Sequence, residues 1–198
     1  NYHLTEGSLS PTNMSEIDIP PHERAEKMLA FLRKWSTLNC PNVPAMNVSE
    51  YANLLDCPQT SQSILLIDCR PEHERAISIM PVNEGDYMVG EQFSSLSLST
   101  QDDMMQGRVL VAHCTIGMRS GRFLEQMILE RIKNSNGGSV LPDFPRMKIF
   151  NLEGSMLAWA DAGREFVTST SDPTTTKRFH TYNIKFDRFR PESYDGIY

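Results

Sequence analysis

Val109-Leu110-Val111-Ala112-His113-Cys114-Thr115-Ile116-Gly117-Met118-Arg119-Ser120-Gly121 decides how this chain is read. It opens on an apolar run without alternation, the pattern of a strand buried on both faces of a helix-covered parallel sheet. Downstream, Leu124, Met127, Ile128 and Ile132 supply the apolar face of a helix over Ser120–Lys133. Cys114 therefore ends a buried strand and precedes a loop and a helix start. In open α/β sheets the carboxyl ends of the strands are where ligands bind. Backbone N–H groups of a tight loop before a helix N-terminus form an anion cradle. The same partial positive charge, with Arg119 nearby, favours the thiolate of Cys114; such settings bring a cysteine from about 8.5 down to roughly 3.5–7.5. Gly117 opens a backbone conformation closed to bulkier residues. A cysteine that only fills a core needs no Gly and Arg after it.

Upstream, Ser63-Ile64-Leu65-Leu66-Ile67-Asp68 repeats the apolar pattern, and Met147-Lys148-Ile149-Phe150 is a third candidate strand. The latter precedes a helix with Met156, Leu157, Ala158 and Trp159. Strand, helix, strand, helix predicts an α/β fold with right-handed crossovers and a central parallel sheet of about five strands flanked by helices. A further helix is expected where Ala25, Met28, Leu29, Leu32 and Trp35 recur at helical spacing. Ser49 is the expected N-cap of a short helix through Leu55. Residues 1–20 read as a polar lead-in ending at Pro20-Pro21, and Asn134–Pro145 as a loop. Glu84–Gln106 is rich in Ser and Met, with weak period-two patterning at Tyr87–Val89 and Phe93–Leu98. Thr168–Thr176 is unstructured by composition. The aromatic residues after it, Phe179, Tyr182, Phe186 and Phe189, predict a tail packed back on the domain.

The 198 residues fit one domain with tails, here 21–167 with an extension over 168–198. Acidic residues outnumber basic ones 25 to 19, giving a net charge of -6. No run of Lys and Arg supplies the footprint that nucleic-acid binding needs. The longest apolar stretches fall far short of a bilayer span. Cys40, Cys57, Cys69 and Cys114 show no metal-ligand spacing and no disulfide framework. The expectation is a soluble protein of a reducing compartment, with cytosol, mitochondrial matrix and plastid all compatible. The chain opens on Asn1, so no targeting segment is readable.

Three segments together carry a resemblance. Cys114-Thr115-Ile116-Gly117-Met118-Arg119-Ser120 resembles the active-site loop of rhodanese-type sulfurtransferases, C-x-x-G-x-R-S. Ile67-Asp68-Cys69-Arg70-Pro71-Glu72-His73-Glu74 resembles the family's D-x-R-x-x-x-E element, followed by Ile77-Ser78-Ile79-Met80-Pro81 in place of an I-P-G-A run. Asn151-Leu152-Glu153-Gly154-Ser155 through Trp159 to Gly163 is similar to the closing element. The match spans 43–167 in the family's order, and Thr176–Asn183 is similar to an extension of some single-domain members. Val82 and Asn83 replace the usual Gly and Ala, and Glu84–Gln106 is longer than most members have.

The resemblance implies a rhodanese-like three-layer fold and a double displacement. Cys114 takes a sulfane sulfur from a small anionic donor such as thiosulfate and passes it to a thiol or protein acceptor. Thr115, Ile116, Gly117, Met118, Arg119 and Ser120 would form the anion-binding loop, and no metal or organic cofactor is implied. From Cys114 to Arg119 the loop counts six residues. The related cell-cycle phosphatases and arsenate reductases have one more, so the shorter ring favours sulfur transfer over phosphatase or arsenate reductase chemistry. A non-catalytic, regulatory rhodanese-like domain ranks third, because the cysteine is present. Asp68 and Arg70 either help shape the pocket or form an ion pair or N-cap holding the next loop. Cys69 either resolves an oxidised Cys114 or packs. His113 is expected to point away from Cys114 by strand alternation. His180 is expected to pack or cap.

Overall fold

The computed structural model describes residues 20–56, 63–83, 85–134, 148–171 and 173–198. The lead-in over 1–19, Cys57, Glu84, the expected loop beyond Asn134 and Met147 lie outside these residues. Five strands make one sheet: β1 (Ala45–Met46), β2 (Ile64–Asp68), β3 (Tyr87–Val89), β4 (Val109–His113) and β5 (Lys148–Leu152). Their spatial order is β1-β5-β4-β2-β3, and every pairing is parallel. The two uniformly apolar runs, β2 and β4, are adjacent and buried at every position, as their lack of alternation requires.

Helices cover both faces. α1 (Pro21–Asn39), α2 (Val48–Asp56) and α7 (Ser155–Asp161) contribute Met28, Leu32, Tyr51, Met156, Leu157 and Trp159 to the layer against Ile64, Leu66, Val109 and Val111. On the other face, α4 (Gly90–Ser95), α5 (Leu98–Met105) and α6 (Met118–Asn134) set Phe93, Met105, Leu124, Met127 and Ile128 against Leu65, Ile67, Leu110, Ala112 and Ile149. The four-residue α3 (Glu72–Arg75) follows β2 directly. The odd and even residues of β2 and β4 thus feed two separate apolar layers, each worth about 1.5–3 kcal/mol per fully buried large aliphatic side chain.

The structure corrects several expectations. Asn47, not Ser49, caps α2. Its Oδ1 accepts from the Glu50 N–H at 2.9 Å, and Glu50 Oε2 accepts from the Asn47 N–H at 2.9 Å, a reciprocal capping box. Within Glu84–Gln106, Tyr87–Val89 is a strand, but Phe93 lies on α4 and Leu98 opens α5, so the alternation over Phe93–Leu98 marks no strand. Thr175–Thr176 (β7) pairs antiparallel with Phe166–Val167 (β6), which composition alone does not show. Beyond it, β8 (Arg178–His180) pairs in parallel with β9 (Asp195–Ile197), and α8 (Ile184–Asp187) lies between them in sequence. Phe179 and Tyr194 are buried against Phe166, with ring centroids 5.0 and 6.1 Å from it. No helix among the described residues is long and apolar enough to cross a membrane.

Gly154 links β5 to α7 with φ +66°, and a β-carbon there would lie 2.6 Å from both Ala158 Cβ and Leu29 Cδ2. Gly154→Ala is expected to combine left-handed strain with a clash against two helices, lowering the unfolding free energy by about 2–4 kcal/mol in urea titrations.

Candidate active site

β4 delivers Cys114 to the carboxyl edge of the sheet, between β2 and β5. The loop Thr115–Gly117 then turns into α6. The helix opens at Met118, two residues ahead of the expected Ser120. Gly117 has φ +89°, and a β-carbon there would meet the Leu152 carbonyl at 3.2 Å, so both conformation and space require glycine. The Gly117 N–H donates to Cys114 Sγ at 3.2 Å. Cys114, Thr115 and Ser120 are fully buried, and Ile116 nearly so; Met118 and Arg119 reach the rim.

Two residues of the third motif hold the ring, and sequence reasoning quoted them without assigning them a task. Asn151 Nδ2 donates to the Gly117 carbonyl at 2.9 Å while its Oδ1 accepts from the Ser120 hydroxyl at 2.7 Å. One amide side chain therefore ties the middle of the loop to the first turn of α6. Ser155 Oγ accepts from the Cys114 N–H at 3.2 Å and donates to the Leu152 carbonyl at 3.0 Å. The Met156 and Leu157 N–H groups, freed at the start of α7, donate to the Cys114 and Thr115 carbonyls at 3.4 and 3.0 Å.

Glu74 is the largest omission of the sequence reading. It is 2% exposed, and its carboxylate accepts both Arg119 Nη1 (2.6 Å) and Nη2 (2.7 Å), together with the Thr115 hydroxyl (2.9 Å). Arg119 Nη2 also donates to Thr115 Oγ1 at 3.1 Å, which closes a triangle of polar contacts. The Arg119 charge is thus neutralised by a partner, and its planar group is fixed in direction. The signal was available in the D-x-R-x-x-x-E spacing, which brings a carboxylate back to the edge on the short α3. Burial works against ionisation of Glu74, yet Arg119 and Thr115 hold its carboxyl below the usual value.

Burial likewise opposes the Cys114 thiolate, but the charge of Arg119 and the Ser120 and Ile116 amides outweigh it and hold the thiol below its ordinary value. Cys40 is pushed up to about 11, by burial and then by the Glu125 charge, which Arg122 offsets only in part; Cys69 is also raised, first by burial and then by Cys114 beside it.

Asp68 and Arg70 form a buried pair under this edge. Arg70 Nε and Nη2 donate to the Asp68 carboxylate at 3.0 and 2.6 Å, and Nη2 also reaches the Ser78 carbonyl at 2.8 Å. Tyr87 donates to Asp68 Oδ2 at 3.1 Å. These bonds brace the loop after β2, and none of them runs to Cys114, which favours the ion-pair alternative for these two residues. His113 Nε2 lies 3.4 Å from the same oxygen, without hydrogen-bond alignment, and its Nδ1 stands 3.3 Å from the Cys114 carbonyl. Burial drives His113 down to about 4 despite Asp68, so the ring is neutral at pH 7.

The tail reaches the rim. The Arg119 guanidinium carbon stands over the Tyr182 ring, 4.9 Å from its centroid. Its φ is +73°, a left-handed conformation costing about 1–2 kcal/mol for a non-glycine residue. The turn is held by the Tyr182 N–H donating to His180 Nδ1 (3.0 Å) and the Thr181 N–H donating to the Ile197 carbonyl (2.8 Å). His180 stands 4.0 Å from Glu74 Oε2 and edge-on to His73, so it belongs to the rim and not to the tail alone.

Three motif segments from β2, β4 and β5 therefore meet at one edge of a five-stranded parallel sheet with helices on both faces. The fold is rhodanese-like. Among solved structures the chain is similar to a rhodanese-like domain protein from Staphylococcus aureus, at 21% identity over 61% of this chain and 95% of that one, with a TM-score of 0.36. It is also similar to a Rhodopseudomonas palustris protein of unknown function described as a possible tyrosine phosphatase, at 12% identity over 79% of this chain and 98% of that one, with a TM-score of 0.42. A Bacillus halodurans protein aligns at 12% identity over 76% of this chain and 88% of that one, with a TM-score of 0.42. No protein-family model and no curated protein matches the chain. Sheet order and motif placement carry this description of the fold, and these distant likenesses add nothing about family or chemistry.

Alkylation by iodoacetamide at neutral pH is expected to label Cys114 ahead of Cys40 and Cys69, as read by peptide mapping, because rate follows thiolate fraction. A depressed histidine binds fewer protons folded than unfolded between about 4 and about 6.5, so its contribution to stability is present above that window and lost as pH falls through it. The urea midpoint is therefore expected to drop between pH 7 and 5, with a shallower slope in His113→Gln.

Proposed function

We propose that this chain is a sulfurtransferase that carries a sulfane sulfur on Cys114. The observation that supports this most directly is the six-residue ring itself: a thiol held below its ordinary value, with the Gly117 N–H 3.2 Å from its sulfur. A ring this small gathers amides around one atom attached to the cysteine. A tetrahedral oxyanion under attack needs more room.

The reaction is a double displacement. The Cys114 thiolate attacks the outer sulfur of thiosulfate or a comparable anionic donor. The donor's S–S bond breaks, and sulfite leaves with the electron pair. The amides of the loop from Thr115 to Ser120 then face the anionic persulfide. A thiophilic acceptor (cyanide in assays, a small or protein thiol in cells) attacks the terminal sulfur and returns Cys114 to the thiolate. Attack, departure and return all proceed without a general base, which accords with a neutral His113 turned toward Asp68. Arg119, already paired with Glu74, serves chiefly to lower the thiol and fix the loop. The amides bind the anion.

Thiosulfate treatment is expected to add the mass of one sulfur atom to the wild type and nothing to Cys114→Ser. The same substitution is expected to reduce thiosulfate:cyanide turnover by about 10³-fold or more. Hydrolysis of an aryl phosphate is expected to be negligible. Inserting one residue between Cys114 and Arg119 should widen the ring and weaken sulfur transfer. Robust phosphatase activity that disappears in Cys114→Ser, with no sulfur uptake, would establish phosphoryl chemistry instead.

A further inference from the structure

Cys69 is a nucleophilic side chain that the reaction above leaves idle. β2 and β4 pair in register from Ile64↔Val109 to Asp68↔His113, and the ladder closes with the Cys69 N–H donating to the His113 carbonyl at 2.9 Å. Cys69 and Cys114 are thus the next residues on two adjacent parallel strands. Strands run about 4.8 Å apart, which keeps such neighbours within the about 4.4–6.8 Å Cα separation that a disulfide bridges. Alternation sets both on one face. Leu65, Ile67, Leu110 and Ala112 all pack in the layer under α6, and Cys69 packs against that same layer. Cys69 Sγ itself lies beside Gly90, which follows Val89 on β3 and presents no side chain; a β-carbon there would be 3.4 Å from it. Both cysteines are free thiols.

We propose that Cys69 is a resolving thiol for the Cys114 persulfide, which makes this site release hydrosulfide when no acceptor is at hand. The inference rests on the sulfur-transfer reading. The Cys69 sulfur attacks Cys114 Sγ of the persulfide, a Cys69–Cys114 disulfide forms, and the bond from Sγ to the terminal sulfur breaks. The terminal sulfur leaves as hydrosulfide, taking the electron pair of that bond and the Cys69 proton. The Cys69 sulfur is oxidised and the terminal sulfur reduced by the same two electrons, so no outside oxidant enters. A dithiol reductant then restores both thiols. Burial and the neighbouring Cys114 keep Cys69 protonated, and so the proton travels with the attacking group. An abundant acceptor outruns this slow internal attack. Without one, the chain discharges its sulfur and locks its own nucleophile.

The test is to load the full chain with thiosulfate, remove the donor, and hold it without acceptor or reductant. The intact mass should first rise by one sulfur, then fall to two hydrogens below the reduced chain, with one hydrosulfide released per chain. Non-reducing peptide mapping should join Cys69 to Cys114, and dithiothreitol should restore sulfur loading. Cys69→Ser and Cys69→Ala should load and then keep the added sulfur, and their loading shows that they are folded. A wild-type persulfide that lasts as long as that of Cys69→Ser overturns the inference and leaves sulfur transfer standing. A disulfide from Cys114 to Cys40 or Cys57 overturns it equally. No added sulfur on wild type or variants removes the sulfur-transfer reading and this one with it.

Discussion

Cys114 is buried, and a buried sulfur anion persists only where protein dipoles and charges stand in for the solvent. Most of the architecture around the sheet edge follows from that requirement. The amides must face inward, so the loop must be short and must contain a glycine in the left-handed region. A loop wound that tightly leaves carbonyls pointing outward, and each needs a partner. Asn151 takes the Gly117 carbonyl, and the first turn of α7 takes those of Cys114 and Thr115. The positive charge beside the sulfur must not swing away, and Glu74 fixes it with two short bonds. With Glu74 buried and Arg119 at the rim, removing the arginine would strand the buried carboxylate without its partner.

How much of this could be read in advance depended on the range of the interaction. β2 and β4 were legible because burial on both faces leaves a mark on every residue, and the Cys114 loop was legible because strand end, glycine and arginine lie within a few residues. The family's closing element pointed at Asn151 and Ser155, but nothing local says that an asparagine on β5 bonds a loop more than thirty positions earlier. Glu74 sits on a four-residue helix with Glu72, His73 and Arg75, where a charged side chain ordinarily faces solvent. Only its contact with Arg119, formed across the sheet edge, turns it inward. The Asn47 cap was missed because Ser49 has the right chemistry two residues too late. β7 was missed because a two-residue strand of threonines exists through its partner, not through its own pattern.

The carboxyl edge is stiff below and shaped from above. Beneath it, Asp68 is held at about 2, with burial resisted first by the imidazolium that His113 becomes in acid and then by Arg70. Tyr87 adds a hydroxyl from the next strand. This network replaces what an apolar plug would otherwise fill, and it pins the ends of β2, β3 and β4 to one another. Above it, His73, His180 and Tyr182 gather around the Glu74–Arg119 pair, so the rim over that pair is built of rings.

The seating of Phe179 and Tyr194 against Phe166 has a consequence for how the molecule comes into being. A ribosome makes the Cys114 loop some sixty residues before it makes Tyr182 and nearly eighty before Ile197, whose carbonyl anchors the turn that carries that tyrosine. Once β5 and Phe166 have followed, and until Phe179, Tyr182 and Tyr194 are made, all five strands of the sheet exist with Phe166 and Arg119 lacking these ring contacts. The segment that closes the rim is also the segment that completes the apolar layer beneath α7. Completion of the core and completion of the rim are therefore the same late event in synthesis, and a chain released early would lack both together.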